Sequence, residues 1–256
     1  MLFSRAERHV AILIFLVLFA LIYGVPYALI LAASLAGNWS SVLPSGFTLA
    51  HFAGLAGGGD GSALFASVAT AAMASLGALA LGLLAALGVR NLPRRTQAFC
   101  DLLFFAPSAV PTVSIGLGLL VAFSRPPVLL NGTITIVVLA HLLIVFAYAY
   151  GGVRAGLAQL PDGIEVMAES LGADALTRFV RITLPLLGPH LRVALALAIA
   201  MSMGELAATA MIYPPGWATL PLRIFALTDR GDVLDAAALT VVLAAMTFGL
   251  LKALRR

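Results

Sequence analysis

The amino-acid sequence predicts an all-α integral membrane protein with six transmembrane helices. Hydrophobic residues make up 62 % of the 256 residues and charged residues only 10 %, whereas soluble domains are about 45–50 % apolar and about 25 % charged. The mean hydropathy is +1.07. The apolar runs are long and do not alternate with a period of two, which argues against a membrane β-barrel.

Six apolar segments have roughly the length of about 20 residues that a helix needs to cross a bilayer. They are residues 10–33, 63–89, 102–123, 134–153, 193–213 and 236–251. The first run is longer than the apolar core of a signal peptide, which has about 7–15 residues. We therefore expect a retained first span rather than a cleaved signal.

The basic residues predict the orientation. Twelve of the 15 lie in the N-terminal tail, in the connections after the second and fourth segments, and at the C-terminus. The other three are Arg125, Arg223 and Arg230. The positive-inside rule therefore places both termini and the loop 154–192 in the cytoplasm. Orientation explains the net charge of +4 better than a nucleic-acid partner does.

The second segment carries a small residue at every fourth position: Thr70, Ala74, Ala78, Gly82 and Ala86. Such a seam allows another helix to approach closely. The pattern does not show whether that helix belongs to the same subunit or to a partner.

Two prolines, Pro107 and Pro111, stand at the start of the third segment. Each removes a backbone hydrogen bond and crowds the preceding turn. We expect a helix that is kinked or broken near its cytoplasmic end, either as a packing kink or to line the translocation path.

Two polar residues lie deep within apolar segments, Glu205 and His141. A carboxylate is costly in lipid, so Glu205 should face protein or water. It is a candidate for the translocation path or gate, together with Ser202 and Pro111, and the alternative is a hydrogen bond that joins two helices. For His141 we expect a neutral, packed ring that donates to a neighbouring backbone carbonyl.

Motifs for chemistry within the chain are missing from the sequence. Lys252 is the only lysine and is not followed by Ser or Thr, which excludes a phosphate-binding P-loop. The four histidines lack the spacing of a metal site. Cys100 is the only cysteine, and we expect it to be a small buried hydrophobe. We therefore expect no catalytic residue, no metal site and no cofactor in this chain.

The cytoplasmic loop predicts two short helices. In the first, Asp162 is a suitable N-cap and Glu165 completes a capping box, while Gly172 is placed to end the helix. One face of this helix is apolar: Ile164, Met167, Ala168 and Leu171.

The second helix is predicted to begin at Asp174, and Pro185 should interrupt it. Its mostly apolar face consists of Leu176, Phe179, Val180 and Thr183. The first helix has three acids and no base, so anionic lipid would repel it. A protein partner with a groove is the better interpretation.

This loop resembles the "EAA" loop of ABC-importer permeases, EAA-x3-G-x9-I-x-L-P. Gly172 and, after nine intervening residues, Ile182-Thr183-Leu184-Pro185 match the pattern. The first half departs from it, because Val166-Met167-Ala168 stands where Glu-Ala-Ala is usual and the acid is the adjacent Glu165.

The resemblance covers nearly the whole chain. It implies the MetI-like fold of a type I importer permease, with residues 1–256 as one transmembrane domain and an ATPase-coupling loop at about 154–190. In that family the loop docks into a cytoplasmic ATPase. The coupling residues are then Glu165, Ala168, Glu169, Gly172, Ala173, Ile182, Leu184 and Pro185. The implied partners are an ATPase dimer that binds ATP and Mg²⁺, a periplasmic binding protein and a second, different permease subunit in the inner membrane.

Four stretches are similar to one permease subunit of bacterial 2-aminoethylphosphonate importers, namely residues 43–52, 107–124, 202–221 and 224–232. The resemblance implies that phosphonate as the substrate, with another small anion or a polyamine as the alternative. Gly204-Glu205 also resembles sulfate and molybdate permeases.

Two rivals come from other classes. A self-sufficient secondary transporter would need ion-coupling residues, for which the spans offer only Glu205 and His141, and no inverted repeat is evident. An intramembrane enzyme is the third and least supported possibility.

Overall fold

The computed structural model describes residues 5–40, 44–54, 59–161 and 163–254. Most of these residues are helical. The helices are α1 (Arg5–Phe19), α2 (Val25–Ser34), α3 (Ala50–Ala53), α4 (Gly59–Val89), α5 (Arg94–Ala109), α6 (Thr112–Ala122), α7 (Ile134–Leu157), α8 (Ile164–Ser170), α9 (Ala175–Arg178), α10 (Leu184–Met203), α11 (Ala207–Ile212), α12 (Leu220–Asp229) and α13 (Val233–Leu254). Two π-helical turns, Ala20–Gly24 and Phe179–Thr183, join α1 to α2 and α9 to α10.

Five helical runs among the described residues are long and apolar enough to cross a membrane: Arg8–Ser34, Gly59–Val89, Ile134–Leu157, Ala175–Met203 and Val233–Leu254. The pair α5 and α6 passes the same test together and supplies a sixth span if it is counted as one. The prediction of an all-α membrane protein is confirmed.

The third span is broken where the two prolines predicted a break. α5 and α6 meet at an angle of 98°. Pro107 lies inside the last turns of α5, and Pro111 is the N-cap residue of α6. Val110 between them is extended, as expected for a residue that precedes a proline.

The fifth predicted segment, 193–213, has the wrong boundaries. The helix begins earlier, at Ala175, and runs through the π turn and α10 to Met203. It then stops at Gly204, and the short helix α11 follows. Pro185 does not end the helix, because the wider π turn before it supplies the space that its ring requires.

The described residues divide into two compact units. The first comprises Met1–Gly61 and Arg223–Ala244, and the second Ser62–Leu222 and Ala245–Arg256. The interpretation of the chain as one permease domain stays a prediction.

The first unit contains a small β-sheet in the connection between the first two apolar segments. β1 (Ala36–Asn38) and β2 (Ser45–Phe47) form an antiparallel pair in which Ala36 lies opposite Phe47. His51 in α3 contacts two partners, the Asp235 carboxylate at 2.6 Å and the Ala36 carbonyl oxygen at 2.9 Å. The connection between the last two predicted segments contains a helix, the ten-residue α12.

The core of the second unit is built around α7, whose Ile136, Val137 and Ala140 are fully buried. The small-residue seam of α4 packs against this helix. A Cβ atom added at Gly82 would lie 2.9 Å from the backbone nitrogen of Tyr150. The predicted close approach is therefore confirmed, and it takes place within the chain. Cys100, expected to be buried, is only partly so.

Candidate coupling loop and broken fifth span

The predicted coupling loop folds as two short helices with a glycine turn, as the sequence predicts. Gly172 follows the C-cap residue Leu171 and has a φ of +87°, a backbone conformation that favours glycine. Asp174 caps α9, because its carboxylate accepts a hydrogen bond from the backbone nitrogen of Thr177 at 3.1 Å. Hydrogen bonding from the Thr177 side chain, and then from its backbone nitrogen, lowers the pKa of Asp174 below its ordinary value.

The start of α8 differs from the predicted capping box. Asp162 lies outside the described residues, and the N-cap position is held by Gly163, with a φ of +78°. Among the described residues, the Glu165 side chain extends to two other elements, because opposite charge and a buried hydroxyl are available there.

Glu165 joins α8 to the ends of two spans. Arg90, directly after α4, donates to both carboxylate oxygens, at 3.1 Å for Oε1. Thr183, in the π turn that leads into α10, donates from its hydroxyl to Oε1 at 2.5 Å. The Arg90 guanidinium lowers the pKa of the Glu165 carboxyl, which burial opposes and the Thr183 hydroxyl reinforces.

A second ion pair holds the two loop helices together. Arg178 in α9 lies 2.8 Å from a carboxylate oxygen of Glu169 in α8. Ala168 is buried, and its carbonyl oxygen accepts from the backbone nitrogen of Ala173 at 3.0 Å. The loop is therefore a defined helical hairpin.

The outer side of this hairpin is apolar and exposed. The exposed fraction is 87 % for Leu171, 69 % for Leu176, 68 % for Met167 and 67 % for Val166. We call these four residues the docking face. On the predicted apolar face of α8, Ala168 is buried and Ile164 half-buried, whereas Met167 and Leu171 point to the outside.

The remaining coupling candidates lie around the π turn. Ile182 and Leu184 are half-buried and Pro185 is exposed, whereas Thr183 between them is buried. The Ile-x-Leu-Pro run is thus the point at which the loop enters the fifth span. The roles of all the coupling residues stay predictions.

The candidate path residues surround the break after α10. Glu205 is 8 % exposed, and its carboxylate accepts from the backbone nitrogen of Ala208 at 2.7 Å, so that it caps α11. Pro111 begins α6, in which a Cβ atom at Gly116 would lie 2.8 Å from the Ala208 carbonyl oxygen. α6 and α11 therefore pack in direct contact. A role in the path stays a prediction for Glu205, Ser202 and Pro111.

His141 has different partners from those expected. Its Nδ1 lies 2.7 Å from the Ser202 hydroxyl and its Nε2 lies 2.8 Å from the Thr209 hydroxyl. The partners are side chains of α10 and α11 rather than a backbone carbonyl. The ring is 1 % exposed and joins both sides of the break to α7.

Sequence reasoning missed Arg90 and Thr183, and also a polar cluster of Asp101, Tyr150 and Arg154. Asp101 accepts from the Tyr150 hydroxyl at 2.5 Å and from Arg154 at 3.0 Å. The sequence offers one signal for such a pair, namely a basic residue directly after a span and acidic residues in a later loop. This signal does not identify the partner, because the paired residues are 49 to 75 positions apart in the sequence. Within the described parts of the chain, no group of three or more His, Cys, Asp or Glu could hold a metal.

Comparison with known proteins identifies the family. Residues 78–254 match the family model described as "Binding-protein-dependent transport system inner membrane component". The chain belongs to this family of ABC-importer permeases. It is an inner-membrane component with several apolar helices.

Two relatives illustrate the range of similarity. The permease is 47 % identical over 256 residues to permease protein PhnV of Salmonella typhimurium, named for a 2-aminoethylphosphonate transport system. The alignment covers 100 % of this chain and 97 % of PhnV. This chain is also 32 % identical over 176 residues to PotI of Escherichia coli, which is named for putrescine transport. That alignment covers 66 % of this chain and 62 % of PotI.

A solved structure shares the fold. It is the bacterial alginate ABC transporter in complex with an alginate pentasaccharide-bound periplasmic protein. The TM-score is 0.75 at 15 % identity, over 96 % of this chain and 91 % of that one. The expected fold of an importer permease is therefore confirmed.

Proposed function

We propose that this permease carries 2-aminoethylphosphonate inward across the bacterial inner membrane, with ATP hydrolysis in a separate subunit. The docking face is the observation that supports a separate ATPase subunit. Its four apolar side chains are exposed on a loop that also forms two ion pairs. Large apolar side chains grouped on one exposed loop favour a site that a protein partner covers.

The full-length similarity to PhnV supports the substrate. The identity is 47 % over the entire chain, which favours the same substrate. The partial match to PotI, named for putrescine, supports a polyamine as the second candidate. Another small anion is the third candidate.

The partners follow from the family and the orientation. The basic residues favour cytoplasmic termini and a cytoplasmic loop 154–190, within reach of an ATPase dimer that binds ATP and Mg²⁺. A periplasmic binding protein delivers the substrate from the opposite side, and a second, different permease subunit completes the path. The alginate transporter, solved with its periplasmic protein, supports such an assembly.

In this mechanism the loop acts as a lever. Closure of the ATPase dimer displaces α8 and α9, and the π turn passes the displacement to α10 without an intervening flexible loop. The spans then switch the path from inward-facing to outward-facing. Glu205, Ser202 and Pro111 lie at the breaks of the fifth and third spans, where such a rearrangement would expose polar groups to the path.

The first test concerns coupling through Gly172. Gly172→Leu forces a side chain into a φ of +87°, which costs about 1–2 kcal/mol for an ordinary residue. We expect uptake to fall while the ATPase continues to hydrolyse ATP. The control is Gly188→Leu in α10, where an added Cβ also meets open space but φ is not positive. Normal uptake in Gly172→Leu would remove the coupling role.

The second test concerns the partners and the rival class. The permease is purified from its native membranes, and the proteins that accompany it are identified by mass spectrometry. We expect an ABC ATPase and a second permease. Repeated isolation without an ATPase, together with uptake by the purified chain alone, would favour a self-sufficient secondary transporter.

The third test concerns the substrate. Calorimetry on the cognate binding protein should show 2-aminoethylphosphonate binding that putrescine does not displace. Preferential binding of putrescine, or of another small anion, would replace the substrate assignment without affecting the permease role.

A further inference from the structure

The Glu165 carboxylate stands at a junction of four elements. Arg90 contributes a two-pronged contact from the end of α4, and Thr183 contributes a hydroxyl from the π turn. The carbonyl oxygen of Arg90 also accepts from the Gln97 side chain of α5 at 3.1 Å. Planar guanidinium–carboxylate pairs of this kind fix orientation as well as distance.

The outward side of α8 is apolar, in contrast to the side that carries Glu165. Glu165 is turned towards Arg90, with 27 % of its side chain exposed, whereas the adjacent Val166 and Met167 are about two-thirds exposed. α8 therefore has an inner, charged side that contacts the spans and an outer, apolar side available to a partner.

A second acid in the same helix provides a comparison. Glu169 is 64 % exposed and pairs with Arg178 in the first turn of the continuous fifth-span helix. Glu165 is less exposed and contacts both the end of the second span, at Arg90, and the fifth span, at Thr183.

We infer that Glu165, with Arg90 and Thr183, is a positioning residue that transmits the movement of α8 to the second and fifth spans, and is not a contact to the ATPase. The inference rests on the proposed function and refines it. Docking is assigned to the apolar face and transmission to the carboxylate, so the two steps are separable by mutation.

The first experiment uses the full transporter with its ATPase and binding protein in proteoliposomes. The ratio of 2-aminoethylphosphonate taken up to ATP hydrolysed is measured for wild type, Glu165→Gln and the control Asp229→Asn. Asp229 is an exposed acid at the end of α12, outside the loop. We expect the ratio to fall about tenfold in Glu165→Gln, since a charge-assisted contact is lost, with the ATPase still bound. Asp229→Asn should keep the wild-type ratio.

Two results would overturn the inference. One is a wild-type ratio in Glu165→Gln. The other is loss of the ATPase from the purified Glu165→Gln complex, which would place Glu165 in the docking surface. Absence of the ATPase from the wild-type complex would instead refute the proposed function.

A second experiment needs neither ATPase nor substrate. Thermal unfolding in detergent is measured for Arg90→Ala, Glu165→Ala and the double variant. If Arg90 and Glu165 interact, the double variant should lose less stability than the sum of the losses in the two single variants. Additive losses would show that the two side chains do not act as a unit, and would overturn the inference even if every variant is folded.

Discussion

The break between α10 and α11 and the coupling loop use polar residues in opposite ways. At the break, the imidazole of His141 joins two hydroxyls, and Glu205 caps a helix of the same chain. In the loop, full charges pair across elements while four apolar side chains remain exposed. The polar groups at the break are paired within the chain, whereas the loop exposes apolar side chains that we propose a partner covers. The contacts at the break stabilise the fold of the permease, and the exposed side chains of the loop are the proposed contact with its partner.

The largest loss of stability should come from adding a side chain where α4 and α7 are in close contact. Gly82→Leu places a side chain against the Tyr150 backbone, 2.9 Å from its nitrogen, and backbone cannot move aside as a flexible side chain can. We expect a loss of about 3 kcal/mol or more in the free energy of unfolding. The measurement is thermal unfolding in detergent. Gly88→Leu on the same helix, where an added Cβ meets nothing within 4 Å, is the control. Equal stability of the two variants would refute the close approach of α4 and α7.

Much of this architecture could be predicted because it depends on local patterns. The apolar runs, the small-residue seam, the bend at Pro111, the turn at Gly172 and the cap at Asp174 each follow from a few neighbouring residues. The pairing of Arg90 with Glu165 could not be predicted, since the two are 75 residues apart. The π turn before Pro185 and the end of the fifth span at Gly204 depend on packing that no short pattern contains.

A smaller loss is expected at the break itself. His141→Ala removes the group that joins Ser202 to Thr209 and leaves both hydroxyls buried without it. We expect a total loss of about 2 kcal/mol, at the lower end of the range for two unsatisfied groups. Ser202→Ala, which removes only one contact, should cost about 1 kcal/mol. Both are measured by the same unfolding assay. A larger loss in Ser202→Ala than in His141→Ala would contradict the central place of the imidazole.

The smallest effect is the pH dependence of stability, which distinguishes contacts between charged groups from contacts between neutral groups. Hydrogen bonding to Asp235 raises the pKa of His51 above its ordinary 6.5, against the effect of burial. The stabilisation is therefore complete below about pH 6.5 and is lost as pH rises through the higher, folded-state pKa. Because Asp235 is 51 % exposed, we expect less than about 1 kcal/mol.

Unfolding scans from about pH 6 to about pH 9 measure this loss, since it develops above the unfolded-state pKa. His51→Gln should flatten the profile in that range. An unchanged slope in His51→Gln would assign the pH dependence to another group. The Glu165 pair has the opposite sign, because its lowered pKa means that stability is lost as pH falls.

The central claim is that the docking face receives the ATPase. The most direct measurement is retention of the ATPase during purification of Met167→Asp and Leu171→Asp, with Leu92→Asp as the control. Leu92 is also an exposed leucine, 38 % accessible, directly after α4. We predict that both docking-face variants remain folded and lose the ATPase, while Leu92→Asp retains it. Wild-type retention of the ATPase by Met167→Asp and Leu171→Asp would contradict the account.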